Sequence, residues 1–187
     1  MTPAAESIRV WDPLVRILHW LLVSAVVLAW ISTLGWGLSA LHEPSGWITL
    51  VVVTLRIAWG FAGSGYARFR QFVRSPRTLL GYIEKMRAGS APRYIGHNPL
   101  GGWMILVLLV TVIAIGFTGW LFTTDMFWGT AWLQTLHASL AWLLLGLVVV
   151  HVAGVIFSSL AHHENLLRAM FTGRKPVLKN TEDQWSG

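Results

Sequence analysis

The 187-residue sequence predicts an all-α integral membrane protein, a four-helix bundle with both termini in the cytoplasm. Three observations predict this fold. Hydrophobic residues make up 55% of the chain and charged residues only 12%, about half the charged share of a typical soluble domain. Four long apolar runs are separated by more polar segments, and nearly all basic residues fall on one side of these runs.

Composition also excludes several classes of protein. The low content of charge excludes an ordinary cytosolic enzyme and a disordered chain. The chain has no cysteine, which excludes a disulfide scaffold, iron–sulfur clusters, thiolate-ligated haem and covalently attached c-type haem. Any metal or cofactor must therefore be held by other side chains.

The apolar runs set the order of the elements. They cover residues 17–41, 47–63, 100–122 and 126–160, each long enough to approach or exceed a bilayer span. Asp12 and Pro13 form a helix start signal before the first run. We expect helices over about residues 12–38, 42–63, 99–122 and 130–160 in a single domain, 1–187, with a cytoplasmic loop at 64–98. Within this loop, Ser75 and Pro76 predict a short helix to about Ala88.

The basic residues predict the orientation. Of the 14 Lys and Arg residues, all but Arg56 lie before the first run, between the second and third, or after the fourth. By the positive-inside rule both termini and the loop at 64–98 face the cytoplasm. The net charge of +6 therefore reports topology, and we expect no nucleic-acid partner. The basic and aromatic loop predicts contact with anionic membrane lipid, with docking of a cytoplasmic partner as the alternative.

Four histidines in or beside the apolar runs are the main functional candidates, because ionisable groups inside a bilayer are costly. His137 and His151 are 14 residues apart, so they lie on one face of a helix and about 21 Å apart along its axis. Antiparallel helices would place His19 at the depth of His151 and His42 at the depth of His137. The sequence thus predicts an inner pair, His19 and His151, and an outer pair, His42 and His137.

Two imidazole pairs within a helical bundle suit two haem b groups, because neutral imidazole is a good axial ligand and the porphyrin supplies four nitrogens. A zinc site or a proton relay is the main alternative. Such sites recruit carboxylates, and the four apolar runs contain no Asp or Glu.

Two further positions complete the candidate site. Arg56 follows His42 by 14 residues and so reaches the depth of the inner pair, where a haem propionate would balance its charge. Arg16 is a second candidate propionate partner, as is Arg68. His97, just before the third predicted helix, either helps to start that helix or contributes to a quinone site.

Several stretches resemble the bacterial cytochrome b561 family, which includes the b-type cytochrome subunit of Ni–Fe hydrogenases. They are residues 11–20 (WDPLVRILHW), 97–101 (HNPLG), the His137 and His151 pair, 164–170 (ENLLRAM) and 172–175 (TGRK). The resemblance covers nearly the whole chain and implies that His19, His42, His137 and His151 bind two haem b groups in the bacterial inner membrane.

The resemblance also implies a function. It predicts electron transfer between the membrane faces, linking a periplasmic redox protein, such as a c-type cytochrome or a hydrogenase, to the quinone pool. A bound quinone and a homodimer are further candidates. An electron-transfer subunit is favoured over a stand-alone enzyme. The alternatives are a self-sufficient oxidoreductase that passes electrons from a small molecule such as superoxide to quinone and, more remotely, a metal transporter without redox chemistry.

Overall fold

The computed structural model describes residues 7–63 and 65–176. This part of the chain is mainly helical. Its helices are α1 (Pro13–Ile31), α2 (His42–Ala62), α3 (Phe69–Phe72), α4 (Pro76–Arg87), α5 (Pro99–Phe122), α6 (Ala131–Ala161) and α7 (Leu166–Thr172), with 3₁₀ turns at Ser39–Leu41 and Gly65–Ala67 and strands β1 (Ser7–Arg9) and β2 (Arg174–Pro176). Helices α1, α2, α5 and α6 are long and apolar enough to cross a membrane, which confirms the four predicted segments.

Helix α1 begins as predicted and ends earlier. The Asp12 carboxylate accepts the backbone N–H of Leu14 at 2.8 Å, as expected of a residue that caps a helix. The helix ends at Ile31, seven residues before the predicted 38. After Ile31 the N–H groups of Thr33 and Leu34 bond to carbonyls three residues back, and the Ser32 hydroxyl bonds back to the carbonyl of Ala29 at 2.7 Å. Gly35 then has φ +77°, a conformation that suits glycine.

The predicted cytoplasmic loop contains more helix than the sequence predicts. Helix α4 begins at Pro76, where the Ser75 hydroxyl accepts the N–H of Thr78 at 3.2 Å, and ends at Arg87. This confirms the short helix predicted from Ser75 and Pro76. Helix α3 and the preceding 3₁₀ turn were not predicted.

The two ends of the described chain pair with each other. β1 and β2 are antiparallel, with Ile8 opposite Lys175. The carbonyl of Gly173 accepts the N–H groups of Val10 and Trp11 at 2.9 and 3.1 Å. Gly173 has φ +77°, and a Cβ there would lie 3.0 Å from the Trp11 carbonyl oxygen. Only glycine combines this backbone conformation with so close an approach.

Contacts divide the chain into two compact units. The first comprises residues 1–16, 59–105 and 150–187, and the second comprises 17–58 and 106–149. The described core of the first unit is the cluster of Val10, Trp11, Ile95 and Ala169. The second unit buries some residues of each spanning helix, such as Ala25, Val53, Val112 and Leu144, and exposes large apolar side chains, including Val110, Trp142 and Val149. Such exposure suits contact with lipid.

Candidate functional site

The outer histidine pair lies together in the second unit. His42 begins α2, and His137 lies in the second turn of α6. Their ring centroids are 6.2 Å apart and the ring planes are inclined by 75°. The structure thus brings together two side chains that are 95 residues apart in sequence and that depth alone had paired.

The end of α1 holds the ring of His42. Its Nδ1 lies 3.0 Å from the carbonyl oxygen of Ala29 and 3.1 Å from the hydroxyl of Ser32. Carbonyls in the last turn of a helix lack intrahelical partners. At this end the carbonyls of Leu28 and Trp30 accept the N–H groups of Ser32 and Thr33, and that of Ala29 accepts the Ser32 hydroxyl and faces the His42 ring. The imidazole therefore completes the C-terminus of α1.

Helix α5 holds the ring of His137. The Nδ1 atom lies 2.8 Å from the hydroxyl of Thr118. The Thr118 hydroxyl is itself 3.0 Å from the carbonyl of Ala114. One residue further along, a Cβ at Gly119 would lie 3.3 Å from Cε1 of His137. The absence of a side chain at Gly119 thus lets α5 approach the ring closely.

These contacts favour the same tautomer in both rings. A carbonyl oxygen only accepts hydrogen bonds, so a ring nitrogen beside one must carry the proton. Nδ1 of His42 faces the carbonyl of Ala29. Nδ1 of His137 faces the Thr118 hydroxyl, whose own proton is directed to the carbonyls of Ala114 and Ile115, so that its oxygen accepts. Both rings therefore donate through Nδ1–H, which leaves the Nε2 lone pair of each available to a metal.

The separation of the rings fits a shared metal. A metal–imidazole nitrogen bond is about 2.0 Å long. Each ring atom lies about 1.1 Å from the centre of its imidazole, so two rings that shared one metal would have their centres at most about 6.2 Å apart. The observed 6.2 Å matches this value. Within the described residues no three His, Cys, Asp or Glu side chains gather as a metal-binding group.

Polar side chains continue along α2 at seven-residue intervals from His42. Thr49 and Arg56 share its face and are buried, with exposed fractions of 6% and 7%. The Thr49 hydroxyl has no hydrogen-bond partner among the described residues, whereas the hydroxyls of Thr54 and Thr111 each bond back to a carbonyl of their own helix. A buried hydroxyl without a partner on the histidine face fits a polar group of a bound cofactor.

The two inner histidines occupy separate units. His19 lies on α1 and contacts the ring of Trp20 at 5.2 Å between centroids. His151 lies on α6 and is partly buried. Their pairing stays a prediction of the sequence.

The remaining predicted positions lie in the first unit. The guanidinium of Arg16 donates a hydrogen bond to the carbonyl of Phe171 at the end of α7. The ring of His97 packs between those of Trp11 and Phe72, at 4.5 and 4.8 Å between centroids. Both residues therefore help to position the ends of the described chain, and their proposed roles toward propionate and quinone stay predictions.

A buried cluster of charges was not predicted. The carboxylate of Glu164, between α6 and α7, accepts hydrogen bonds from Arg93 at 2.9 Å and from Lys175 at 3.2 Å. All three side chains are at most 8% exposed. Burial lowers the pKa of Lys175 from its ordinary 10.5, and the Glu164 carboxylate offsets part of this effect. The cluster links the loop before α5, the link after α6 and strand β2.

Comparison with known proteins places the chain in a family. Residues 10–173 match the family model described as prokaryotic cytochrome b561. The chain is 20% identical to a protein of Rhizobium leguminosarum bv. viciae described as a probable Ni/Fe-hydrogenase B-type cytochrome subunit, an alignment that covers 95% of this chain and 92% of the relative. No solved structure matches it. Because the family match covers most of the sequence, the chain belongs to the prokaryotic cytochrome b561 family of membrane-bound b-type cytochromes that transfer electrons.

Proposed function

We propose that this protein carries electrons across the bacterial inner membrane by means of two haem b groups, between a periplasmic redox protein and the quinone pool. His42 and His137 bind the outer haem, and His19 and His151 bind the inner one. The four spanning helices form a bundle with both termini in the cytoplasm. The observation that carries the proposal is the 6.2 Å separation of the two outer rings, each with its Nδ1 already bonded.

The residues of the chain would each make a distinct contribution. A bound haem b supplies reversible one-electron redox chemistry at its iron. His42 and His137 offer two Nε2 lone pairs on rings whose orientation the protein fixes. Gly119 leaves space beside His137, and the apolar helices exclude water. Thr49 and Arg56 present a hydroxyl and a cation to the buried face of α2.

The position of Arg56 supports a role toward a propionate. It is buried within a span whose apolar run contains no Asp or Glu, and a guanidinium pairs well with a carboxylate. Arg16 is proposed as a second such partner through the part of its guanidinium that does not bond to Phe171. If Arg56→Leu leaves haem content and midpoint potentials unchanged, the role of Arg56 is wrong.

A direct test of the proposed function uses proteoliposomes. The full chain, loaded with haem, is reconstituted around trapped ferricyanide, and a reductant that cannot cross the membrane is added outside. We expect the trapped ferricyanide to be reduced with wild-type protein and to stay oxidised with His42→Ala or His137→Ala. The control is His162→Ala, which changes a histidine that follows α6 and should reduce the ferricyanide as the wild type does. Equal rates in empty liposomes and in those containing the protein would overturn the proposal.

The same preparation tests the proposed partners. Added quinone should be reduced when a periplasmic redox protein supplies electrons, and His97→Ala should slow this reaction if His97 contributes to the quinone site. If the purified chain alone passes electrons from superoxide to quinone, it is a self-sufficient oxidoreductase and needs no protein donor.

A further inference from the structure

Two different acceptors hold the outer histidines. The Nδ1–H of His42 meets a backbone carbonyl, that of Ala29, with the Ser32 hydroxyl beside it. The Nδ1 of His137 meets the Thr118 hydroxyl at 2.8 Å. A backbone carbonyl is present whatever the side chain at that position, whereas a hydroxyl depends on the residue. The contact to His137 is therefore the one that a change of residue alters most directly.

The Thr118 hydroxyl is oriented to accept. Its oxygen lies 3.0 Å from the carbonyl of Ala114 and 2.9 Å from that of Ile115. Its single proton is therefore directed to the helix backbone, and its lone pair faces Nδ1–H of His137. Donation to a carbonyl makes a hydroxyl oxygen a stronger acceptor, because hydrogen bonds in a chain polarise one another. Thr118 is 5% exposed, so water does not compete for this bond.

A hydrogen bond from Nδ1–H has a known effect on a ligating imidazole. It fixes the ring orientation and raises the basicity of Nε2. A more basic ligand stabilises ferric iron more than ferrous iron, because the higher charge gains more from the added electron density.

We propose that Thr118 is a positioning residue for the outer haem, and that its hydroxyl lowers the midpoint potential of that haem by accepting a hydrogen bond from Nδ1 of His137. The proposal rests on the proposed function, since it requires a haem between His42 and His137. It assigns to α5, which supplies no ligand, control over the potential at the outer face.

The same helix provides a matched control. Thr111 precedes Thr118 by seven residues and so shares its face of α5. Its exposed fraction is 6%, and its hydroxyl also bonds to a carbonyl four residues back, that of Val107 at 2.8 Å. Within the described contacts Thr111 has no histidine partner. Thr111→Val and Thr118→Val thus remove the same group from similar surroundings, and only the second removes a bond to a ligand.

The test is a potentiometric titration of the full haem-loaded chain, with electron paramagnetic resonance of the ferric form. In Thr118→Val the midpoint potential of one haem should rise by about 30 to 60 mV. This shift corresponds to a threefold to tenfold change in the ratio of ferric to ferrous binding, at 59 mV per tenfold. The resonance of the same haem should shift. Thr118→Ser, which keeps the hydroxyl, and Thr111→Val should match the wild type.

The outcomes separate the inference from the function beneath it. Equal potentials in Thr118→Val and Thr111→Val, whether shifted or not, would overturn the role of Thr118. Selective loss of one haem in Thr118→Val, with both haems kept in Thr118→Ser and Thr111→Val, would support it. If the haem content is unchanged in both His42→Ala and His137→Ala, these residues do not bind an outer haem, and the proposed function itself is wrong at this site. Ser32→Ala should give a smaller shift than Thr118→Val, because the Ala29 carbonyl remains.

Discussion

Two polar clusters, one in each compact unit, consist of opposite kinds of group. In the second unit the buried groups around His42 and His137 are neutral, and each ring is bonded to a carbonyl or a hydroxyl. In the first unit one carboxylate, Glu164, is bonded to two cations with almost no exposure. Neutral acceptors orient a ligand without adding charge to it, whereas a buried ion cluster strongly penalises the loss of any member. The first arrangement suits a redox site, and the second suits a structural contact that holds segments of the chain together.

The largest effect should follow from breaking the ion cluster. Glu164→Gln leaves Arg93 and Lys175 buried without their shared carboxylate, and we expect a loss of about 3 to 5 kcal/mol in the free energy of unfolding. Thermal and denaturant unfolding in detergent measure it. Glu84→Gln, on an exposed part of α4, is the control and should change stability by less than about 0.5 kcal/mol. Similar stabilities for the two variants would show that the cluster contributes little.

A smaller effect should follow from crowding the ligand. In Gly119→Ala the new Cβ lies 3.3 Å from Cε1 of His137, so the ring must move, and we expect haem to be held less tightly by about 1 to 3 kcal/mol. The rate of haem transfer to an excess of apomyoglobin measures the change. Gly146→Ala, where a Cβ meets nothing within 4 Å, should keep its haem as the wild type does. Faster loss from Gly146→Ala than from Gly119→Ala would contradict the proposed packing.

The smallest effect should be a dependence on pH in the first unit alone. Burial lowers the pKa of Lys175 in the folded chain from its ordinary 10.5. As the pH approaches 10.5, the folded chain has therefore released the proton of Lys175, whereas the unfolded chain still binds it. Unfolding then takes up a proton, and stability rises with pH over this alkaline range, by at most about 1.4 kcal/mol per pH unit.

The matched variant for this prediction is Lys175→Met, which cannot titrate. Its unfolding free energy should lack this rise, while Tyr82, whose pKa is raised by burial and then by Tyr94, affects both proteins alike. Identical pH profiles for the wild type and Lys175→Met would show that Lys175 does not titrate differently in the fold. The spectrum of the outer haem should stay constant over the same range.

Local signals predicted most of the helices. Apolar runs located the four spans, and Asp12, Ser75 and Pro76 located two helix starts. The early end of α1 comes with the back-bonding of Ser32 and with backbone hydrogen bonds from Thr33 and Leu34 that span three residues. The apolar content of residues 17–41 does not reveal these features, because they concern the hydrogen bonds of single residues.

Long-range partners were predicted only where chemistry narrowed the choice. Histidines are few, so depth alone was enough to pair His42 with His137. Glu164 and Arg93 are 71 residues apart, among many possible ion pairs, and no periodic pattern joins them. Thr118 and Thr111 have the same local context, so only the folded position of His137 distinguishes them.

The most direct test of the central claim is the amount of haem b per chain, measured as pyridine haemochrome in purified wild type, His137→Ala and His162→Ala. The account predicts two haems per chain in the wild type and in His162→Ala, and one in His137→Ala. Equal haem content in the two variants, or no haem in wild-type protein expressed with an adequate haem supply, would contradict it.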